Sequence, residues 1–422
     1  MAQSCFSCSP RSRERLKQIA MRHALSLCLA LLFAPLALPA VAADRPLTLL
    51  ISIDGFRADY LDRGVTPVLS RLAAGGARGM MRPSFPSLTF PNHYTLVTGL
   101  RPDRNGIVDN NMEDPGRPGI RFSMSKLDVS HDPFWWDQAE PLWVTAERAG
   151  LRTATMFWPG SDLPVRGVRP RDWKMYDKAF LADARVDQVL AWLDRPAARR
   201  PRFVTLYFDE VDTWGHNAGP DSEELNAALA RTDASVGRLL EGLKARGLFA
   251  ATNLIVVADH GMAPISQDRV SYLEDLLPAS AYQFVGMGPV ASLRAAPGHE
   301  DEVAKALLSP HDHFTCWRKA ELPARFHYGE NPRVQPIICL AQTGWVISTD
   351  RAFRVGKGAH GFDPDDPLMA ALFVARGPAF RRGVVLAPFD NVDVYPLLAR
   401  LVGVTPRPND GDLDQIRAGL AR

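Results

Sequence analysis

Three short apolar runs in this sequence each break off into acidic residues. Leu47–Ile53 runs into Asp54-Gly55, Phe203–Phe208 into Asp209-Glu210-Val211-Asp212, and residues 254–257 into Ala258-Asp259-His260-Gly261. Short runs with no polar alternation read as strands covered on both faces, the pattern of a parallel sheet between helices. Residues 152–158 and 369–374 add two further core strands. Helical stretches lie between them. Residues 67–77 end in Gly75-Gly76, residues 223–246 carry Leu225, Ala228, Leu229, Val236, Leu239, Leu240 and Leu243 on one face, and residues 392–402 form a closing helix. The expected fold is α/β, with a mostly parallel central sheet flanked by helices. Such sheets bind ligands beyond the carboxyl ends of their strands. Three acidic strand ends on one rim would repel one another unless cations joined them.

Other features narrow the setting. Lys+Arg is 49 and Asp+Glu 47, so the balance suggests no nucleic-acid-binding surface. Residues 24–38 are almost all apolar, follow Arg22-His23, and lead to Ala40-Val41-Ala42-Ala43. This reads as a signal peptide over residues 1–43, with 44–422 as the mature chain. The stretch is short for a ~30 Å bilayer core, and Pro35 and Pro39 interrupt it, so no stable membrane anchor is expected. The protein is then exported, to the periplasm or the medium. Of five cysteines, Cys5, Cys8 and Cys28 fall in the leader; Cys316 and Cys339 remain, and an even pair outside the cytosol is most simply a disulfide. They flank residues 329–336, which suggests a stapled loop in an accessory portion spanning roughly residues 263–350.

The acidic strand ends sit beside histidines. Asp212-Thr213-Trp214-Gly215-His216 places a carboxylate and an imidazole four apart, in a loop that Gly215 lets fold back. Asp259-His260 places both ligand types at one strand end, and His360 stands between Ala359 and Gly361. With Asp54 this makes three Asp and three His. Six mixed ligands suit two zinc-type ions with about three protein ligands each and open positions for substrate. Thr89 precedes Phe90-Pro91, and Pro91 fits the first turn of a helix. Thr89 near a helix N-terminus is an ordinary cap residue. It becomes a nucleophile only if strongly activated, for which a metal ion suffices.

Ile51-Ser52-Ile53-Asp54-Gly55-Phe56-Arg57, Thr89-Phe90-Pro91-Asn92-His93-Tyr94, Gly106-Ile107-Val108-Asp109-Asn110, Phe157-Trp158-Pro159-Gly160-Ser161, Asp212 through His216, Asp259-His260-Gly261-Met262 and His360-Gly361 follow one another in this order. Together they resemble the bacterial nucleotide pyrophosphatase/phosphodiesterase family of the alkaline phosphatase superfamily. The resemblance implies an alkaline-phosphatase-like sheet with a smaller insertion. It implies two Zn²⁺ per chain, one held by Asp54, Asp259 and His260 and touching Thr89, the other by Asp212, His216 and His360. It implies attack by Thr89 on phosphorus with a covalent intermediate, and a hydrogen bond from Asn110 to a phosphate oxygen. Phe90 and Tyr176 would clamp the base of a nucleotide substrate. Two Zn²⁺, three carboxylates and a threonine alkoxide come out near neutral, which suits a singly charged diester. The alternatives within the superfamily are a phosphonate hydrolase, a phosphomonoesterase and a phospholipid head-group diesterase. A sulfatase-type site is excluded, because no Cys/Ser-x-Pro-x-Arg stands at the nucleophile. The chain departs from the family at Glu210-Val211-Asp212, where Glu-Pro often precedes the aspartate.

Among the other candidates, His93 reads as a structural hydrogen-bonding group and His311-Asp312-His313 as a solvated loop. Trp135-Trp136 reads as packing or cleft lining. His131, His299 and His327 take no assigned role.

Overall fold

A computed structural model describes residues 46–421; the leader expected at residues 1–43 lies outside the described residues. One large sheet carries the fold. Its strands, numbered in chain order, are β1 (Leu47–Ile53), β2 (Ala77–Arg82), β3 (Thr153–Met156), β4 (Asp172–Trp173), β5 (Phe203–Phe208), β6 (Thr252–Val257), β7 (Ala371–Arg376), β8 (Val384–Val385) and β9 (Phe389–Asp390). They lie in the order β8-β2-β7-β6-β1-β5-β3-β4, with β9 also on β2. β1 is parallel to both β5 and β6, and β3 is parallel to β5. β7 alone runs antiparallel to both its neighbours, β6 and β2. The sheet is therefore mostly parallel, as its apolar runs lead one to expect. The reversal of β7 was not expected, because an apolar run encodes burial and not direction.

All seven residues of β1 are buried, and helices cover the sheet. The helices used below are α1 (Pro67–Ala74), α2 (Thr89–Thr98), α3 (Ala182–Leu193), α4 (Glu210–Ala218), α5 (Glu223–Ala245) and α6 (Val394–Val402). α5 begins where the Ser222 hydroxyl accepts from the Leu225 N–H at 3.1 Å, and its apolar stripe is buried. Asp233 of α5 accepts from the N–H groups of Val68 and Leu69 at 2.9 and 2.8 Å, pinning the first turn of α1.

A second sheet is antiparallel: Tyr282–Gly286, Val290–Ala295, Ile337–Ala341 and Phe314–Arg318, in that spatial order. It packs on its own smaller apolar cluster, which includes Leu293, Val303, Leu307 and Ile337. Cys316 stands directly opposite Cys339 in this sheet, and the two form a disulfide between neighbouring strands. No helix among the described residues is long and apolar enough to cross a membrane.

Candidate metal centre and adjoining cleft

The register of the parallel strands assembles the site. Ile53 pairs with Phe208, and Ser52 with Val257, so β1, β5 and β6 end on one line. Asp54 follows directly on β1, and Asp259 stands two residues past the end of β6. Asp212 is reached one turn into α4. The spacing of Asp212 and His216 led to the expectation of a loop; the structure has a helix there. An i,i+4 pair shares one helical face, so regular structure brings the two together without a fold-back. The turn after β1 needs Gly55: its φ is +66°, and a Cβ there would lie 3.1 Å from Cα of Asp212.

Two ligand groups result. Asp54, Asp259 and His260 form one, Asp212, His216 and His360 the other, with ligand atoms within 4.8 Å of one another in each. The His260 and His360 rings stack at 3.5 Å, so the groups adjoin. His216 Nδ1 donates to the Gly358 carbonyl at 2.8 Å, His260 Nδ1 to the Gly261 carbonyl at 2.9 Å, and His360 Nδ1 to the Ser87 carbonyl at 2.9 Å. A carbonyl only accepts, so Nδ1 carries the proton in all three rings and Nε2 faces the centre, the arrangement metal-ligating imidazoles use.

The carboxylates are oriented in the same way. Asp54 Oδ2 accepts from the Tyr207 hydroxyl at 2.6 Å, and Asp259 Oδ1 from the Gly55 N–H at 3.1 Å. Asp54 Oδ1, Asp259 Oδ2 and Asp212 Oδ1 are buried with no hydrogen-bond partner. Three orphaned carboxylate oxygens converging with three imidazole Nε2 atoms fit a pair of divalent cations, because burying such oxygens without a cation is costly. Titration agrees. Burial, then the charges of Asp259 and Asp212, push Asp54 well above the carboxylate range. Burial alone would depress His216, but Asp212 outweighs it and holds the imidazole up at about 9. Burial and the neighbouring His260 pull His360 down to about 3. A metal bound at His216 Nε2 would compete with the proton that Asp212 favours on that ring.

Thr89 is the first residue of α2, and its Oγ1 lies 3.2 Å from His260 Nε2. Asn110 Oδ1 accepts from the Phe90 N–H at 3.0 Å, which turns the carboxamide NH₂ outward as a donor. His93 is buried behind these groups. Its Nε2 is 2.8 Å from Ser52 Oγ, and its Nδ1 lies 2.9 Å from the Thr89 carbonyl and 3.3 Å from Asp259 Oδ2.

Beside the centre opens a cleft of about 120 Å³, whose lining includes Phe90, Trp136, Phe157, Trp158, Tyr176 and Tyr207. Phe90 and Tyr176 both line it. Trp135 and Trp136 are both buried, and of the two only Trp136 is among the cleft's lining residues. His131, given no role from the sequence, pairs with Asp162 at 3.0 Å on the cleft wall. Tyr207, which buttresses Asp54, was also missed. Its position one residue before the end of a rim-bound strand was the available signal. His311 stacks on Phe314 and His313 on Trp345, and neither belongs to a ligand group.

Comparison with known proteins bears on this geometry. The family described as Type I phosphodiesterase / nucleotide pyrophosphatase matches residues 48–363. Ectonucleotide pyrophosphatase/phosphodiesterase family member 3 of Bos taurus is 39% identical over 380 residues, 87% of this chain and 43% of its own length. This chain therefore spans less than half of that relative. An uncharacterized pyrophosphatase/phosphodiesterase of Schizosaccharomyces pombe is 39% identical over 383 residues, 86% of this chain and 78% of its own. Among solved structures, an inactive variant of murine ectonucleotide pyrophosphatase/phosphodiesterase 5 in complex with AMP superposes with a TM-score of 0.86 at 34% identity, covering 89% of this chain and all of its own. These relatives are eukaryotic, and they do not support a bacterial branch. The matched span runs through all six ligand positions and Thr89: the chain belongs to the Type I phosphodiesterase / nucleotide pyrophosphatase family.

Proposed function

We propose that this protein is a zinc-dependent nucleotide pyrophosphatase/phosphodiesterase. It holds two Zn²⁺, one on Asp54, Asp259 and His260 beside Thr89, the other on Asp212, His216 and His360. It hydrolyses phosphodiester or phosphoanhydride bonds of nucleotides and releases a nucleoside monophosphate. The observation that carries this reading is the position of Thr89 Oγ1, 3.2 Å from His260 Nε2 of a ligand group with unpartnered carboxylate oxygens, while the next residue, Phe90, lines the aromatic cleft. Bound zinc supplies Lewis-acid stabilisation of charge on the attacking and leaving oxygens.

The chain's own groups do the rest. Thr89 Oγ1 attacks phosphorus; its bond to phosphorus forms as the bond to the leaving oxygen breaks. Water then cleaves the threonine ester, releasing the monophosphate and restoring the hydroxyl. The N-terminus of α2 and the outward NH₂ of Asn110 face the non-bridging oxygens. Phe90 and Tyr176 stack on the base and hold the phosphate in line. The AMP held by the murine relative supports a nucleotide as substrate.

Residues 44–422 act as a single catalytic domain with an accessory portion at roughly 263–350, since β6 and β7 pair directly across that segment. We place the enzyme outside the cytosol, in the periplasm or the medium. The Cys316–Cys339 disulfide and the ecto-enzyme name of the cattle relative support this.

The test is Thr89→Ala together with a substrate panel of nucleoside triphosphate, nucleotide sugar, dinucleotide, lysophospholipid and monoester. Turnover is expected to vanish in the variant while zinc content stays near two per chain. Nucleotide diesters and anhydrides are expected to be the best substrates. Full activity in the variant, or a lysophospholipid as best substrate, overturns the reading.

A further inference from the structure

Tyr176 sits on a stretch with no regular structure, between β4 and α3, and is 37% exposed. A ring that stacks on a base from such a segment needs an anchor. The anchor is at its hydroxyl, which donates to Asp209 Oδ2 at 3.0 Å. Asp209 is in turn held by Arg185 of α3, whose Nη1 donates to Asp209 Oδ1 at 2.7 Å and to the Tyr207 carbonyl at 3.0 Å. Arg185 Nε donates to the Phe180 carbonyl at 2.7 Å, and the side chain is 3% exposed. A buried guanidinium is retained only with its donors satisfied, and here three bonds fix it. Tyr207, whose own carbonyl Arg185 grips, gives its hydroxyl to Asp54 at 2.6 Å. The aromatic ring of the cleft and a ligand of the metal centre are thus tied to the same end of β5.

We propose that Asp209 and Arg185 are positioning residues for the nucleotide: through the Tyr176 hydroxyl they hold that ring at a set distance from the metal centre. The inference rests on the reading of Tyr176 as a base-stacking residue. Neither group touches substrate. Their effect is to remove the ordering cost that a free Tyr176 would add to each binding event. The pair is neutral overall, so it orients the ring without adding charge to the cleft.

The test compares p-nitrophenyl thymidine 5′-monophosphate with methyl p-nitrophenyl phosphate, which has no base, for Tyr176→Phe, Asp209→Ala and the double variant. Tyr176→Phe removes one exposed oxygen and keeps the ring, so folding is not at issue. The ratio of kcat/KM for the nucleotide to that for the small diester is expected to fall roughly 5- to 20-fold in each single variant, the worth of one hydrogen bond, and to enter through KM. The double variant is expected to be no worse than either single one, because both remove the same bond. Additive losses, equal losses on both substrates, or an unchanged ratio in the single variants overturn the proposal. Tyr176→Ala separates the two readings. If it raises KM for the nucleotide while Tyr176→Phe and Asp209→Ala do not, the stacking role stands and the positioning role falls. If Tyr176→Ala itself leaves that KM unchanged, the stacking role falls first.

Discussion

Beside Asn110 lies a carboxyl group that the fold keeps from water. Asp109 is buried, accepts from the Asn111 N–H at 3.0 Å, and is pushed up to about 7 by burial, against the opposing pull of that backbone bond. A raised carboxyl pKa means that the folded state holds a proton the unfolded chain gives up near 3.8. The associated stability is complete below the unfolded value and is lost as pH climbs through about 7. Asp109→Asn mimics the protonated form. Its stability relative to the parent is expected to be near zero at pH 4 and to grow to on the order of a few kcal/mol by pH 8. Urea unfolding of both proteins at the two pH values checks this; a difference that does not change with pH would mean Asp109 is ionised in the fold. At this scale the sequence was informative where chemistry and context coincided. Asp54, Asp259 and His260 stand at strand ends, and their residue types already suggest ligands. Tyr207, Asp162 and His131 were not legible, because a tyrosine or an acid is ordinary until one sees which atom it faces.

The elements carry those side chains to one point, and the tolerances are small. The short strand Gly358–Ala359 pairs with Ala263–Pro264 and leads directly to His360. A Cβ on Gly358 would lie 2.3 Å from the carbonyl oxygen of Gly215 in α4, and the Gly358 carbonyl orients His216. Gly358→Ala must push this strand off the helix that carries Asp212 and His216. Zinc affinity of that group is expected to drop about 10- to 100-fold, as when an outer partner of a ligand is lost, with the main sheet intact. Competition with a coloured chelator, alongside far-UV circular dichroism, measures both; unchanged affinity would show that the contact is soft. Here the sequence misled in an instructive way. Gly215 between Asp212 and His216 suggested a fold-back, yet the i,i+4 spacing of the two ligands is itself the helical signature.

Taken whole, the molecule brings three acidic strand ends into one buried place. Such a centre is a source of instability unless cations neutralise it, so metal and fold are coupled. Chelation is expected to lower the melting temperature by at least ~3 °C as well as remove activity, with zinc restoring both. A melting temperature indifferent to chelator would mean that the carboxylates are neutralised by protons alone. What the sequence determined by itself is local. Continuous apolar runs specify buried strands, helical spacing specifies α1, α5 and α6, and aspartates at strand ends specify a rim able to bind cations. Only the tertiary structure decided that β7 runs backwards between β2 and β6, that Cys316 faces Cys339 across a sheet, and that Gly55 meets Asp212. The reason is one of range: burial and periodicity are properties of neighbouring residues. Strand direction, register and the convergence of Asp54 with Asp212 arise from contacts between segments distant in sequence, 23 residues apart at Cys316–Cys339 and far more at Asp54 and Asp212, which no local pattern records.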